Sequence, residues 1–569
     1  MFFKLSNGSV VIGSWILVLC LSLFFLYLFC FVEFHELVLM VELDFSSKFL
    51  LSLNIPFFID SSSLILGGVV LYISSFVMIF SGFYMSHEVF MSRFVSLVVL
   101  FVLSMNLLVF FPSFLFLMVG WDGLGVVSFL LVVYYMNKES LSAGMITAIS
   151  NRIGDVFFIL SIAVLSMYLS YEFYVFFEFL MFGLSFLVVV GSMTKSAQVP
   201  FSAWLPAAMA APTPVSTLVH SSTLVTAGVY VLFRFSCLIS AELFVFLLFF
   251  SMMTLIMAGI SAVFEVDMKK VIALSTLSQL GVMMLSISLG MKMVALFHLV
   301  VHAFFKALMF MCVGAVIFYS GGVQDGRFLG ECWFKLPVVV MWLVVCNLSL
   351  MGLPFMSGFY SKDLVMESGM SGGLSGVGMV LFVLSIVLTV LYGMRMVFMI
   401  LMAESLCSFE GYGSLDLYLF FSTFGLGIGA VWGGFFMQMV VKKFSKFVFV
   451  SSYEKLLILI SIFLSFGLIV FCFFEKLLKV SKKLWLYFLS KMWFLPFLSG
   501  NFVSSLFLGK ILLINFYLEK GWFESVIWGS SVSMGFKSFG GVLHQFNAKV
   551  IGVVVFLGFF LFILVYVLV

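Results

Sequence analysis

Charge is what this sequence has least of. Of its 569 residues only 9% are Asp, Glu, Lys or Arg, while 64% are hydrophobic. Soluble domains carry about 25% charged residues, and a chain this apolar has too little polar surface to cover a body in water. A water-soluble fold is excluded, and lipid becomes the solvent. The net charge of +3 is spread thinly, with no Lys/Arg block that would mark nucleic acid as a partner. Cysteine is also sparse: eight residues, each standing alone, with no Cys-x-x-Cys. That spacing excludes a structural zinc or an iron–sulfur cluster in this chain and leaves the thiols as small buried hydrophobes. No glycine-rich loop sits between a strand and a helix, which argues against flavin or quinone binding here.

Long apolar runs are what the chain has in place of charge. Uncharged stretches follow Lys4, Asp60, Glu242, Lys270, Lys335, Glu367, Asp416 and Lys455. Two more lie between Arg93 and Lys138, divided by Pro112. Others begin near Ala143 and Phe179, at either end of 201–235 and around Lys306, and a last one runs from Val550 to Val569. With roughly 20 residues needed per span, this predicts about fifteen spans. Backbone satisfaction in lipid makes them helices, so the expected class is an all-α polytopic membrane protein. From 475 to 549 charges return every few residues (Lys476, Lys479, Lys482, Lys483, Lys491, Lys510, Glu519, Lys520, Glu524), with apolar residues between them at helical spacing. That pattern predicts an amphipathic helix lying on the membrane surface; several short loops are the alternative, since Pro496, Gly500 and Gly509 interrupt it. Only nine prolines occur, and Pro200, Pro206, Pro212 and Pro214 crowd into one short stretch. Proline breaks the helical ladder, and broken helices at membrane depth line protein-buried or hydrated cavities. A second break is expected at Gly352-Leu353-Pro354 and Gly358, and paired interruptions of this kind point to inverted-repeat transporters.

Each ionisable group at mid-bilayer costs about 2.5–3.5 kcal/mol on insertion scales and needs a reason to be there. Asp122 lies ten residues past Pro112, about 15 Å along a helix, among Gly120, Gly123 and Gly125, which permit close helix contact. A carboxylate balanced between desolvation and a nearby cation can switch its proton; a structural salt bridge is the competing reading. Lys195 precedes the proline cluster. A desolvated lysine can release its proton, whereas a snorkelling interfacial lysine would not. His220 suits a proton relay or a core histidine bonded to backbone. His298, His302 and Lys306, at i, i+4 and i+8, form one helical stripe about 12 Å long. This can be a short proton wire. A two-histidine metal site is disfavoured by Lys306 and by the lack of a third acidic or thiol ligand on the stripe. Lys362 and Asp363 follow the second break and point about 100° apart; they mark an exit or form a loop ion pair. Arg152 and Asp155 can pair along a helix, and Asp267, Lys269 and Lys270 are expected to open a helix at the surface, with Ser275, Thr276, Ser278 and Gln279 further along it.

The segments Gly120-Trp121-Asp122-Gly123-Leu124-Gly125, Asn151-Arg152-Ile153-Gly154-Asp155, Ala211-Pro212-Thr213-Pro214-Val215-Ser216 and His220-Ser221-Ser222-Thr223 resemble the antiporter-like membrane subunits of respiratory complex I. So does the run from Asp267-Met268-Lys269-Lys270 to Ser275-Thr276-Leu277-Ser278-Gln279. The stretch His298 to Leu308 and the long tail after Lys455 are similar to the subunit 5 branch of that family. The resemblance is strong from Asp60 to Asp363 and loose elsewhere, and the front is short by about one helix. It implies two discontinuous helices in inverted repeats, with N-terminal helices over 1–92, antiporter-like repeats over 93–236 and 237–400, further helices over 401–474, the surface helix over 475–549 and an anchor over 550–569. It implies an Asp122–Lys195 pair, a central axis through His220, His298, His302 and Lys306, and an exit near Lys362 and Asp363. Asp122 stands where many members carry Glu, so its partner must sit closer or act through water. No cofactor is expected in this chain: NADH, FMN, iron–sulfur clusters and ubiquinone belong to partner subunits of an H+-translocating NADH:ubiquinone reductase. The partners implied are neighbouring antiporter-like subunits, braced by the surface helix, together with the lipid bilayer and protons, and not nucleic acid. The implied place is the mitochondrial inner membrane. The N-terminus shows no Arg/Ser-rich presequence, which would then imply synthesis inside the organelle, and 77 Phe agree with a biased organellar genome. A sodium/proton antiporter subunit of the Mrp type is the alternative, and a scaffold with buried charges that only guide assembly is a third reading.

Overall fold

The computed structural model describes residues 2–44, 54–166, 181–371, 376–401, 416–441, 451–475 and 483–515. Apart from one hairpin, these residues form helices and the turns between them, as apolar runs must where no water can take up backbone groups. α1 (Phe2–His35) leads into strands β1 (Leu39–Asp44) and β2 (Asn54–Ile59), which pair antiparallel with Leu39 opposite Ile59. These short strands were not foreseen; they connect α1 to α2 (Ser61–Tyr84). α3 (Met91–Phe110), α4 (Phe114–Val132), α5 (Lys138–Ser166) and α6 (Met181–Lys195) follow. Eleven segments among the described residues are long and apolar enough to cross a membrane, with four shorter apolar helices beside them. The expected span at 550–569 lies outside the described residues.

The proline cluster does not form the break itself. It folds as a string of tight turns around α7 (Trp204–Ala207), leading to α8 (Thr213–Ser221). The interruption comes later, at Ser222 and Thr223, before α9 (Leu224–Arg234); the Thr223 hydroxyl donates to the Leu218 carbonyl and so satisfies one group the break exposes. α10 (Ala241–Phe264), α11 (Met268–Ser288) and α12 (Lys292–Tyr319) come next. α13 (Cys332–Lys335) is a single turn before the second interrupted helix, α14 (Pro337–Met351) and α15 (Ser357–Ser371). This break falls where the sequence places it. Gly352 ends α14 in the left-handed region at φ 81°, which glycine enters without steric cost. A Cβ on Gly358 would run into the Ser349 carbonyl, so the two half-helices can approach only with glycine there. α16 (Gly376–Leu401), α17 (Leu417–Val440), α18 (Ser452–Glu475) and α19 (Lys483–Ser490) complete this compact unit, which spans Met1–Phe176 and Leu180–Leu495. At its centre lies α12, buried from Val294 to Ile317, which packs against α2, α8, α11, α14, α15 and α17.

In the second unit, Phe177–Phe179 with Pro496–Val569, the described elements are a π-helical turn over Phe497–Phe502 and α20 (Val503–Asn515). The expected surface helix is thus interrupted where it is described: α19 ends at Ser490 and Trp493 turns left-handed at φ 55°. Residues 476–482 and 516–549 of that expectation lie outside the described residues.

One ion pair ties α9 to the start of α2. Arg234 donates to both oxygens of Asp60 at 2.7 Å each and to the Tyr230 hydroxyl at 2.7 Å. Asp60 also caps α2, accepting from the Ser63 backbone N–H at 2.9 Å. Burial works to raise the Asp60 carboxyl, but the Arg234 guanidinium outweighs it and holds the group below the usual carboxylate range.

Two outcomes follow from these contacts. Gly358→Ala should destabilise the protein by about 3 kcal/mol, the upper range for overpacking, read as a fall in thermal inactivation temperature and in assembled complex on native gels. Asp60→Asn should cost about 1–3 kcal/mol, below the value for a fully buried pair because both side chains keep some exposure. A lowered folded-state pKa gives stability that is complete above the ordinary aspartate value and lost as pH falls through the lowered one. Melting curves on acidification should therefore drop further for the wild type than for Asp60→Asn.

Candidate functional site

Small residues set the geometry around Lys195. A Cβ on Gly120 would lie 2.6 Å from the backbone nitrogen of Leu108, so α3 and α4 are in near contact. Gly154 on α5 abuts Thr194 and lies against the Gly191 carbonyl on α6. A Cβ on Gly228 would lie 2.5 Å from the Ser192 carbonyl, bringing α9 against the same helix. Each glycine removes a side-chain layer and so lets the two helix axes approach closely. Asp155, next to Gly154, is thereby brought towards Lys195, next to Thr194.

Lys195 is fully buried, at 0% exposure. Its ammonium donates to the Trp121 carbonyl at 2.6 Å and stands 3.7 Å from the centre of the Trp121 ring. The indole of Trp121 in turn donates to Asp155 Oδ1 at 2.9 Å, while Asp155 Oδ2 accepts from Arg152 at 3.1 Å. Among the described residues Lys195 and Asp122 form no ion pair within 4.0 Å, which leaves, of the two expected arrangements, the one that acts without direct contact. Asp122 is half-buried on α4, and its Oδ1 is shielded without a protein hydrogen-bond partner. Asp155 thus reaches Lys195 through Trp121, whose indole N–H it accepts and whose carbonyl takes the ammonium. Asp155 and Trp121 are therefore members of the site that the sequence reading did not include, although the Arg152–Asp155 spacing was the available signal.

His220 is buried on α8, its ring centre 6.2 Å from that of Trp204. Trp204 donates to the Thr194 carbonyl at 3.0 Å, one residue before Lys195. Neither ring nitrogen of His220 has a protein partner. From Lys195 a line of polar groups continues. The Gln198 amide donates to the Ser196 carbonyl at 3.3 Å and accepts from the Thr254 hydroxyl of α10 at 2.7 Å. Thr254 lies where a Cβ on Gly281 of α11 would touch it, at 3.0 Å.

α11 carries the next members, and two groups of the stripe on α12, His298 and Lys306, bond to it. His298 lies between Gln279 Oε1 at 3.1 Å and Ser361 Oγ at 3.0 Å, so it links α11 to α15 beyond the second break. The Gln279 amide donates to the Tyr392 hydroxyl at 3.3 Å, and Ser278 shares that hydroxyl at 3.0 Å. With the Gln279 amide nitrogen on Tyr392, its oxygen receives the Nε2–H of His298, and Nδ1 is left to accept from Ser361. The His302 ring centre is 6.3 Å from that of His298, and neither of its nitrogens has a protein partner. Lys306 donates to the Ser275 hydroxyl on α11.

Lys362 is buried and donates to the carbonyls of Leu350 at 3.3 Å and Met351 at 3.2 Å and to the Thr389 hydroxyl at 2.8 Å. It thus caps the open end of α14, where carbonyls lack helical partners. Asp363 points elsewhere, half-buried near Glu367 and Lys455, which themselves pair at 2.8 Å. Lys362 and Asp363 do not pair with each other, so the loop ion pair falls away. Asp267 and Lys270 pair at 2.6 Å at the start of α11, whereas Lys269, expected at the surface, is turned inward at 5% exposure. Among the described residues no group of three His, Cys, Asp or Glu is placed to hold a metal ion.

Residues 111–389 match the family model described as NADH:quinone oxidoreductase/Mrp antiporter, TM, and residues 392–569 match that of the NADH dehydrogenase subunit 5 C-terminus. NADH-ubiquinone oxidoreductase chain 5 of Locusta migratoria is 42% identical over 481 residues, covering 82% of this chain and 84% of that one. Chain 5 of Anopheles gambiae is 40% identical over 528 residues, 90% of each. Among solved structures, a chain of the Mrp complex from Dietzia sp. DQ12-45-1b shares the fold with a TM-score of 0.72 at 23% identity, over 85% of this chain and 56% of that one. The fold, the broken helices and the sequence likeness over most of its length agree: the chain belongs to the NADH-ubiquinone oxidoreductase chain 5 family, the antiporter-like subunits in the membrane arm of complex I.

Proposed function

We propose that this chain carries protons across the mitochondrial inner membrane along its buried polar row, driven by electron transfer in other subunits of the complex. NADH, FMN, iron–sulfur clusters and ubiquinone belong, on this reading, to those subunits, and the nearest partners are other antiporter-like subunits. The observation that carries the proposal is the burial of Lys195, His220, His298, His302, Lys306 and Lys362, each at 4% exposure or less, inside helices otherwise built from apolar residues. Ionisable groups kept in hydrocarbon at such cost mark ion pathways.

The roles divide by geometry. Asp155 and Asp122 set the electrostatic field at Lys195, with Trp121 in contact with both Lys195 and Asp155. A charge shift in a neighbouring subunit, felt at half-buried Asp122, changes how firmly Lys195 holds its proton. The proton then moves through groups that can both donate and accept: Gln198, Thr254, Gln279 and the neutral imidazoles. His220 and His302, whose nitrogens have no protein partner, are free to take and pass it on. Lys306 and Lys362 follow, and Asp363 is the exit. Moving one charge against 100 mV takes about 2.3 kcal/mol, under two pKa units by the usual conversion, so a modest rearrangement of charge around Lys195 suffices. The fold shared with an Mrp complex keeps sodium/proton exchange as the alternative.

Reconstituted complex carrying Lys306→Ala should keep much of its NADH oxidation while pumping markedly fewer protons per electron; an unchanged ratio removes Lys306 from the path. Sodium-dependent exchange without quinone would favour the antiporter reading. Asp155→Asn should lower pumping at least as far as Asp122→Asn, because Asp155 is joined to Lys195 through Trp121 whereas Asp122 makes no such link. If both variants lose assembled complex on native gels before they lose pumping, the charges serve assembly alone.

A further inference from the structure

A partly open cavity lies away from the polar row, where the β hairpin meets the ends of α3 and α9 and the start of α4. It has a volume of about 310 Å³, at the lower edge of small-molecule sites, which run from roughly 300 to 1,000 Å³. Its wall is apolar for the most part, formed by residues such as Phe58, Leu108, Phe111, Leu117 and Leu238. Two polar groups interrupt that wall. Ser113 is only 4% exposed and lies at the N-cap of α4, yet it makes no capping bond, and its Oγ has no protein partner. Arg234 also lines the cavity. Three of its guanidinium N–H groups are taken by Tyr230 and Asp60, which leaves two of the five such a group carries.

We infer that this cavity binds a single acyl chain by its carbonyl end, with the carbonyl oxygen at Ser113 and Arg234 and the chain along the apolar wall. The chemistry selects this class. The free groups are hydrogen-bond donors, so the ligand brings an acceptor. Asp60 already neutralises Arg234, so a phosphate would meet a carboxylate and a neutral carbonyl is the better fit. The volume suits one chain rather than a ring system or a two-chain lipid as a whole. The site sits where α2, α3, α4 and α9 all begin or end, which is the depth of the ester layer of a bilayer. The carbonyl has two sources, a glycerolipid ester and a free fatty acid.

Cys237, exposed and part of the cavity lining, is a built-in reporter. The intact complex, in phosphatidylcholine nanodiscs, is treated with stearic acid carrying a mid-chain diazirine, or is assembled with phosphatidylcholine carrying the same photoreactive chain. Labelled peptides are mapped by mass spectrometry, and the rate of Cys237 alkylation by N-ethylmaleimide is followed with and without excess oleate. The expected result is labelling of 108–117 and 230–238 by at least one probe. Where the stearic acid probe labels, oleate should slow Cys237 alkylation several-fold. Labelling by the phospholipid probe alone assigns the ester as the source, and labelling by stearic acid assigns the free acid. Leu238→Trp, which fills the cavity from its partly exposed wall, should abolish labelling, and Ser113→Ala should weaken it severalfold. No labelling of these segments by either probe overturns the inference, as does wild-type labelling in both variants.

Discussion

A buried cation has to find oxygen, and this protein supplies most of that oxygen from its own backbone. Lys195 rests on the Trp121 carbonyl, and Lys362 on the open end of α14. Arg395 reaches the last carbonyls of α10, donating to Glu265 at 2.6 Å as well as to Val263. Helix ends and breaks leave carbonyls without partners, and in hydrocarbon those carbonyls are as costly as the cations are. Each resolves the other's cost. The interruption at Gly352 and the amine of Lys362 thus belong to one physical arrangement, in which a broken helix holds a proton-binding group without a permanent carboxylate beside it.

On the proposed reading, that arrangement is what lets charge at a distance act on the site. An amine locked in a close ion pair would keep its proton. At Lys195 the carboxylates act across Trp121, Asp155 through the indole and Asp122 with no direct contact. The field is strong because the surroundings are apolar, yet no bond has to break for it to change. Arg152, largely exposed on α5 and bonded to Asp155, extends this network to the outer face of the helix.

Close packing brings the members of the row onto adjoining helices. The glycines at 120, 154, 228 and 281 each let two helices meet where an alanine would hold them apart. Polar side chains then bridge adjoining helices directly: Gln198 to Thr254, Gln279 to His298, His298 to Ser361. α12, surrounded on every side, carries three titratable groups along one stripe. The cavity beside the hairpin lies apart from this row, yet Arg234, which lines it, also ties α9, the second half of the first broken helix, to Asp60.

The sequence by itself determined the solvent, the helical class, the second break at Gly352 and the stripe of His298, His302 and Lys306. Each follows from local physics: composition excludes water, glycine and proline act on their own backbone, and a spacing of four residues sets one helical face. What lay beyond it was every decision about which helix faces which. The hairpin between α1 and α2, the shift of the first break from the proline cluster to Ser222, the inward turn of Lys269 and the insertion of Trp121 between Asp122 and Lys195 all depend on packing between residues far apart in the chain. Asp155 joined the site because Gly154 lets α5 close on α6, and no spacing along the sequence records where two helices will touch.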